Sequence, residues 1–201
     1  MSEPGLVVIV DGPSCVGRST TVAALQAAWP EVRGGPLLAI GLEAMLASFG
    51  PSQSRWRPLV APSVSPSVSA SDGDDQHEVG QARWGPLGIE LIEAMHRAVG
   101  AWAHAGVDVV VDHLLLDKAT ARDLATVLAG LGTIHVGLVC DPDILEDRER
   151  ERYGTATAVA QQQTTQDVAV RDLVLDTSQS TTDELVEAVL IDVKRLLRTR
   201  R

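Results

Sequence analysis

Short apolar blocks alternate with stretches of helical period along this chain. Leu6 to Val10 (LVVIV), Leu37 to Gly41 (LLAIG), Val107 to Asp112 (VDVVVD), Thr133 to Cys140 (TIHVGLVC) and Arg171 to Asp176 (RDLVLD) have the length and composition of strands. The segment from Ser19 to Trp29 (STTVAALQAAW) has helical composition and a Ser/Thr start. Leu42 to Leu46 opens a helical turn, after a loop at Pro30 to Pro36 (PEVRGGP). From Leu87 to Ala105, apolar residues at Leu91, Ile92, Met95, Val99 and Trp102 trace one helix face, and Gly106 ends it. Further helices are expected over Lys118 to Leu131, from Asp141-Pro142 through DILEDRERERYG, and from Thr181 to Arg201. The last has a cap around Thr182 to Glu184 and a basic tail that complements the helix dipole. Strand and helix in alternation call for an α/β fold, a mostly parallel five-stranded sheet with helices on both faces.

Residues 51 to 86 break this rhythm. PSVSPSVSASDGDD has no hydrophobic period, and the segment is too long for an ordinary connection. It reads as an insertion, either disordered or a functional cover, within a single domain spanning 1 to 201. Trp56 and Trp84 bracket it beside Arg55, Arg57 and Arg83, and they either line an apolar substrate or pin the ends of the segment.

Composition narrows the function classes. The chain has 201 residues, 45% of them hydrophobic, enough for one α/β domain with a sizeable core. With 17 basic against 27 acidic residues the net charge is −10, which argues against a nucleic-acid surface. Positive charge for a small polyanion must therefore be concentrated locally. Two cysteines, Cys15 and Cys140, sit in strand-end contexts and read as free thiols in a reducing compartment. No signal-like opening and no membrane-length apolar run are present, so a cytoplasmic protein without a membrane partner is expected.

The chemistry gathers where the first strand ends. Gly12, Pro13, Ser14, Cys15, Val16, Gly17, Arg18 and Ser19 follow the pattern G-x-x-x-x-G-K-[ST], with Arg in the Lys position and Thr20 continuing into a helix. In a strand-turn-helix context, such a loop turns its peptide N–H groups inward around phosphates, and the helix adds its positive end. Ser19 would place a hydroxyl where Mg²⁺ is bound; otherwise the stretch is an ordinary strand-to-helix connection with a chance glycine spacing.

Three further positions follow from the order of elements. Asp112 ends a buried β-branched run and suits the Mg²⁺-associated acid of such an enzyme; otherwise it is a turn residue, with Asp117 the cap of the next helix. Glu43 stands just beyond the second strand, on the edge where open α/β sheets place ligands. It is either an acceptor of a substrate proton or a solvated first-turn Glu. Arg148, Arg150 and Arg152 alternate with glutamates; Arg148 and Arg152 share a helix face, Arg150 does not. This run is either a salt-bridged surface or a lid, at about residues 146 to 160, that brings guanidinium groups over a transferred phosphate. Thr155 to Gln166 is Ala-rich and extends that lid. His113 reads as a structural or substrate-side residue, since no metal-ligand spacing accompanies it.

Together DGPSCVGRST, LAIGLEAM, VVVDHL, VGLVCD with E-x-x-x-R, and LDTS resemble the chloramphenicol phosphotransferase family of small kinases, over nearly the whole chain outside 51 to 86. The resemblance implies a three-layer P-loop kinase fold. It also implies transfer of the γ-phosphoryl of ATP, with Mg²⁺, to a hydroxyl of a small molecule such as an antibiotic, a nucleoside or a biosynthetic intermediate. It puts Glu43 where the family has an Asp thought to act as base, Asp112 on a strand-end Asp, and Arg152 on a lid Arg. The chain departs from the family at Arg18 for Lys, at Glu43 for Asp, and at Gln166 for His. A second lid Arg is missing after Arg152 (Arg152-Tyr153-Gly154-Thr155), leaving Arg148 or Arg150 to substitute. These departures carry the alternative, a nucleotide-binding protein with impaired catalysis. A homo-oligomer is compatible with either.

Overall fold

The computed structural model describes residues 3–48, 60–61, 83–84, 86–115, 117–154, 158–165 and 167–199. Five strands form one sheet: β1 (Leu6–Asp11), β2 (Leu38–Gly41), β5 (Val109–His113), β6 (Gly132–Val139) and β7 (Leu173–Asp176). Their order is β2-β5-β1-β6-β7, and every pairing is parallel. A separate two-stranded antiparallel pair joins β3 (Val60–Ala61) to β4 (Arg83–Trp84). Most of the 51–86 insertion lies outside the described residues.

Alternation along β1 divides the core. Leu6, Val8 and Val10 face one layer, packed with Val22, Leu25 and Trp29 of the first helix region and Val186, Val189 and Val193 near the C-terminus. Val7 and Ile9 face the other, with Met95, Val99, Leu124 and Leu128. The helices that supply these residues are α1 (Arg18–Ala28), α4 (Pro86–His104), α5 (Lys118–Val127) and α8 (Thr182–Thr199). The result is a three-layer α/β fold. Parallel strands put all their C-terminal ends on one edge, and β1, β5 and β6 deliver the phosphate loop, Asp112 and Cys140 there. The opposite edge is tied by Asp108, which accepts hydrogen bonds from Leu6 N (2.8 Å), Trp29 Nε1 (3.0 Å) and Arg33 Nε (2.8 Å).

Several boundaries differ from the sequence reading for local reasons. Pro30–Arg33 forms a short helix, α2, because Pro suits the first turn and Gly34 closes it with a left-handed backbone. The helix expected to run to Leu131 ends at Val127 in a series of turns, and Asp117 caps its start by accepting from Thr120 N at 2.8 Å. The cap of α8 is Thr181 rather than Thr182: Glu184 Oε2 accepts both Thr181 N and Oγ1 at 2.8 Å, a capping box. The stretch read as a candidate lid is not one extended helix. Gly154 takes a left-handed conformation and ends α6 (Pro142–Tyr153), and a separate helix, α7 (Ala158–Thr165), follows. Arg171 and Asp172 precede the last strand rather than belonging to it, and the Arg171 side chain reaches Asp11.

Candidate active site

The loop between β1 and α1 is shaped by its backbone. Gly17 has φ of 102°, a value that L side chains rarely adopt, and Cys15 sits at φ of 59° as the one non-glycine residue with positive φ among the described residues. No side chain caps α1, so the N–H groups at its start are left to an incoming acceptor. Thr21 Oγ1 turns back onto Gly17 O at 3.1 Å, away from that opening.

Asp112 stands on the neighbouring strand, in register with Val10 of β1. Ser19 Oγ donates to its Oδ2 at 2.8 Å, and Arg18 Nε donates to its Oδ1 at 2.8 Å. Arg18 Nη1 also donates to Gly12 O, so the guanidinium bridges the start of the loop and the strand-end carboxylate. Arg18 is only 9% exposed and Asp112 19%. Glu43 lies in α3 (Leu42–Ala47), two residues beyond Gly41, which pairs in register with Asp112. The chain therefore brings Glu43 to the same sheet edge as Asp112; its side chain lies outside the described residues.

The opposite wall comes from α6. Its N-terminus is capped by Asp141, which accepts from Asp143 N at 3.0 Å and Ile144 N at 3.3 Å. Arg148 Nη1 donates to Thr177 Oγ1 (3.1 Å) and Nη2 to Thr177 O (3.2 Å), which fixes its charge just past β7. Arg152 is exposed and lies over the Tyr153 ring, 5.1 Å from its centroid. Arg150 pairs instead with Glu146 and, at 3.2 Å, with Asp147 on the outer surface. Arg148 and Arg152 line a cavity of about 320 Å³ together with Pro13 through Thr21, Thr177, Ser180 and Leu185. One cleft thus holds the loop from Pro13 onward and two of the three arginines.

Behind the loop lies polar structure of which the sequence singled out His113 alone. Asp11 is fully buried; Arg171 Nη2 donates to its Oδ2 at 2.6 Å and Leu115 N to its Oδ1 at 3.1 Å. Burial opposes ionisation of Asp11, but His135, the Arg171 charge and these hydrogen bonds outweigh it and hold the carboxyl below its ordinary range. His135 Nε2 stands 3.6 Å from Oδ2, outside hydrogen-bond distance, so the Arg171 contact is the stronger one. A Cβ at Gly137 would stand 2.0 Å from Arg171 Cδ; the glycine is what lets Arg171 cross β6. His113 is buried beside Asp112, with Nε2 2.8 Å from His96 Nε2, and His96 Nδ1 lies 2.5 Å from Asp123. Burial, then the adjacent His96, depress the His113 pKa to about 3. Asp11, a charge ending an apolar strand, and Gly137, a glycine inside one, were the sequence signals for this network.

The donor set suits a hard divalent cation. A hydroxyl and a carboxylate converge at Ser19 and Asp112, both oxygen donors beside a phosphate cradle. Among the described residues no group of three His, Cys, Asp or Glu side chains forms a protein-only metal site. Any cation here would complete its shell with phosphate and water, the habit of Mg²⁺.

A parallel sheet with a glycine-bearing loop at its first strand end, a following uncapped helix, and arginines across the cleft define the P-loop kinase class. The family model described as chloramphenicol phosphotransferase-like protein matches residues 5–194, and the chain belongs to that family. Among solved structures, the Mycobacterium tuberculosis APS kinase in complex with AMPPNP and APS is similar at 16% identity, with a TM-score of 0.61, covering 98% of this chain and 99% of that one. A gluconokinase from Sinorhizobium meliloti matches at 20% identity and TM-score 0.56, covering 99% and 97%. The Deinococcus radiodurans tunicamycin resistance protein matches at 19% and 0.57, covering 94% and 95%. No curated protein sequence matches the chain. Family and fold together support a kinase-type small-molecule phosphotransferase. No helix among the described residues is long and apolar enough to cross a membrane.

Proposed function

We propose that the protein transfers the γ-phosphoryl group of ATP, with Mg²⁺, to a hydroxyl of a small molecule. The observation that carries this reading is the convergence of the loop and the uncapped start of α1 on one side of a cleft whose other side is Arg148 and Arg152, with Ser19 of that cleft hydrogen-bonded to Asp112 behind it in the sheet.

Loop and helix N–H groups of residues 15 to 20 hold the phosphates, helped by the Arg18 charge; Pro13 has no N–H, and that of Ser14 is taken by Gln161. Ser19 and Asp112 would hold the divalent cation, which would offset the charge of the phosphate oxygens. Glu43 accepts the proton of the acceptor hydroxyl as its oxygen bonds to the γ-phosphorus and the bond from phosphorus to the β–γ bridging oxygen breaks, releasing ADP. Arg148 and Arg152 face the charge that builds on the transferred group. Because that transition state is loose, positioning and charge neutralisation supply most of the acceleration. A cytoplasmic setting suits this use of ATP.

The acceptor is an antibiotic, a nucleoside or a biosynthetic intermediate. Isotope-labelled ATP with Mg²⁺, run against a panel of hydroxylated antibiotics and nucleosides, tests the reading. Labelled product from wild type that vanishes in Glu43→Gln supports it. Nucleotide binding with no transfer to any acceptor favours the second reading, a nucleotide-binding protein with impaired catalysis. That reading draws on the Arg18 bridge, which occupies both the loop carbonyl and the carboxylate.

A further inference from the structure

In the phosphate loop Cys15, a non-glycine residue, holds a left-handed backbone at φ of 59°, a conformation that persists where the surrounding structure braces it. One such brace comes from 147 residues away. Ser14 N donates to Gln161 Oε1 at 3.0 Å. Only the carbonyl end of an amide can meet an N–H, so the geometry also fixes which way the Gln161 side chain is turned.

Gln161 belongs to α7, and α7 is itself held on two sides. Its neighbour Gln162 is buried; Cys140 N donates to Gln162 Oε1 at 2.9 Å while Gln162 Nε2 donates to Cys140 O at 2.8 Å. This closed pair of bonds mimics a step of strand pairing and locks α7 to the end of β6. At the start of α7, Ala158 N donates to Glu149 Oε2 at 2.6 Å, and Glu149, 2% exposed, is a residue of α6. The helix that carries Arg148 and Arg152 is therefore connected through Glu149, α7 and Gln161 to the third residue of the phosphate loop.

We propose that Gln161 is a positioning residue for the phosphate loop. Through it the α6–α7 unit sets the orientation of the Pro13–Ser14 peptide before phosphate arrives. The inference rests on the nucleotide reading of the same loop and goes beyond it. It assigns a role to a residue that does not line the cleft, and makes the loop's readiness depend on the seating of α7 against the arginine-bearing α6.

Two readouts test it on the full chain. In the ligand-free protein, hydrogen exchange of the phosphate-loop amides should be about tenfold faster in Gln161→Met, which keeps length but loses the acceptor; Gln161→Glu, which keeps an acceptor oxygen, should restore the protection. By calorimetry, the Kd for AMPPNP with Mg²⁺ should rise about tenfold in Gln161→Met, and Gln162→Met should add nothing in the Gln161→Met background, because both act along one line of contacts. Unchanged exchange and Kd in Gln161→Met, or additive effects of the two substitutions, would overturn the proposal. Gln161 is partly exposed, so Gln161→Met decides the matter even if the buried Gln162→Met fails to fold. A wild type that binds no nucleotide defeats the kinase reading, while the exchange data still decide whether Gln161 holds the loop.

Discussion

Arg18 Nε donates to Asp112 Oδ1 at 2.8 Å while Ser19, the next residue, donates to the other oxygen of the same carboxylate. The two residues that follow Gly17 are thereby tied to the end of β5 through a single side chain. Arg18 also reaches back to Gly12 O, a second contact that a planar guanidinium makes without leaving the first.

A lysine has one ammonium group and cannot span both partners in the same geometry. Arg18→Lys should therefore release the Gly12 carbonyl but keep the charge, leaving the Kd for ADP with Mg²⁺ within about threefold of wild type. Arg18→Met removes the charge beside the phosphates and should weaken that Kd by about tenfold or more. Calorimetry on the two variants checks the contrast; equal Kd values in all three proteins would take Arg18 out of phosphate binding.

Asp112 is the anionic half of the oxygen pair suited to a cation. Asp112→Asn preserves shape and the Ser19 contact while removing the charge. Nucleotide affinity in the variant should become nearly indifferent to Mg²⁺, with transfer falling by about a hundredfold or more. The check is a titration of nucleotide with and without the metal. Retained Mg²⁺ dependence would place the cation elsewhere.

Much of this was legible from the chain alone, because each strand is a short apolar run and the loop between Leu6 and Thr20 is a contiguous motif. That the strands run parallel follows from alternation, and alternation is visible in one dimension; their order in the sheet is not. The parts that were not legible depend on pairs far apart in sequence. Nothing local to Asp11 announces Arg171, since the partnership requires Gly137 to vacate the space between them. Gln161 reads as one polar residue in an Ala-rich helix until the fold sets it against Ser14. Arg150 separated from Arg148 and Arg152 by helix geometry, and its pairing with Glu146 and Asp147 is a local event of the kind periodicity describes.

Glu43 stands two residues past the β2 position that pairs with Asp112, which is the basis for making it the proton acceptor. Glu43→Gln keeps size and polarity but cannot take the proton. Turnover should fall by about a hundredfold or more, with the Kd for ATP changed less than about twofold. Parallel losses in turnover and nucleotide affinity would remove Glu43 from the base role.

His113 gives the fold an acid-sensitive point next to the site. It is buried against His96, with Asp11 and Asp123 as the nearby anions, and its pKa is lowered to about 3 from an ordinary value of 6.5. Burial likewise lowers the pKa of His96, against the pull of Asp123. Between those limits the unfolded chain takes up a proton that native His113 refuses. Stability is thus fully present above the ordinary histidine pKa and falls as pH drops, by about 1.4 kcal/mol per unit for this group. Urea unfolding at pH 7.5 and 5.0 should show the loss, reduced in His113→Gln. A pH-independent wild type would contradict neutral burial of this ring.

The Asp11–Arg171 pair should be the most costly to break from one side. Asp11 has no exposure, and Arg171 supplies the positive charge that holds its carboxyl below the ordinary range despite that burial. Arg171→Met leaves a buried carboxylate with Leu115 N–H and the more distant His135, and should destabilise the protein by about 3–5 kcal/mol. Removing both charges is a different perturbation, because desolvation of the pair offsets much of its attraction. Asp11→Asn combined with Arg171→Met should therefore recover part of the loss, with Asn still able to accept from Leu115 N. Urea denaturation of the two single variants and the double variant supplies the cycle. A double variant no more stable than Arg171→Met would mean that Arg171 acts by filling the space over Gly137 rather than by compensating Asp11.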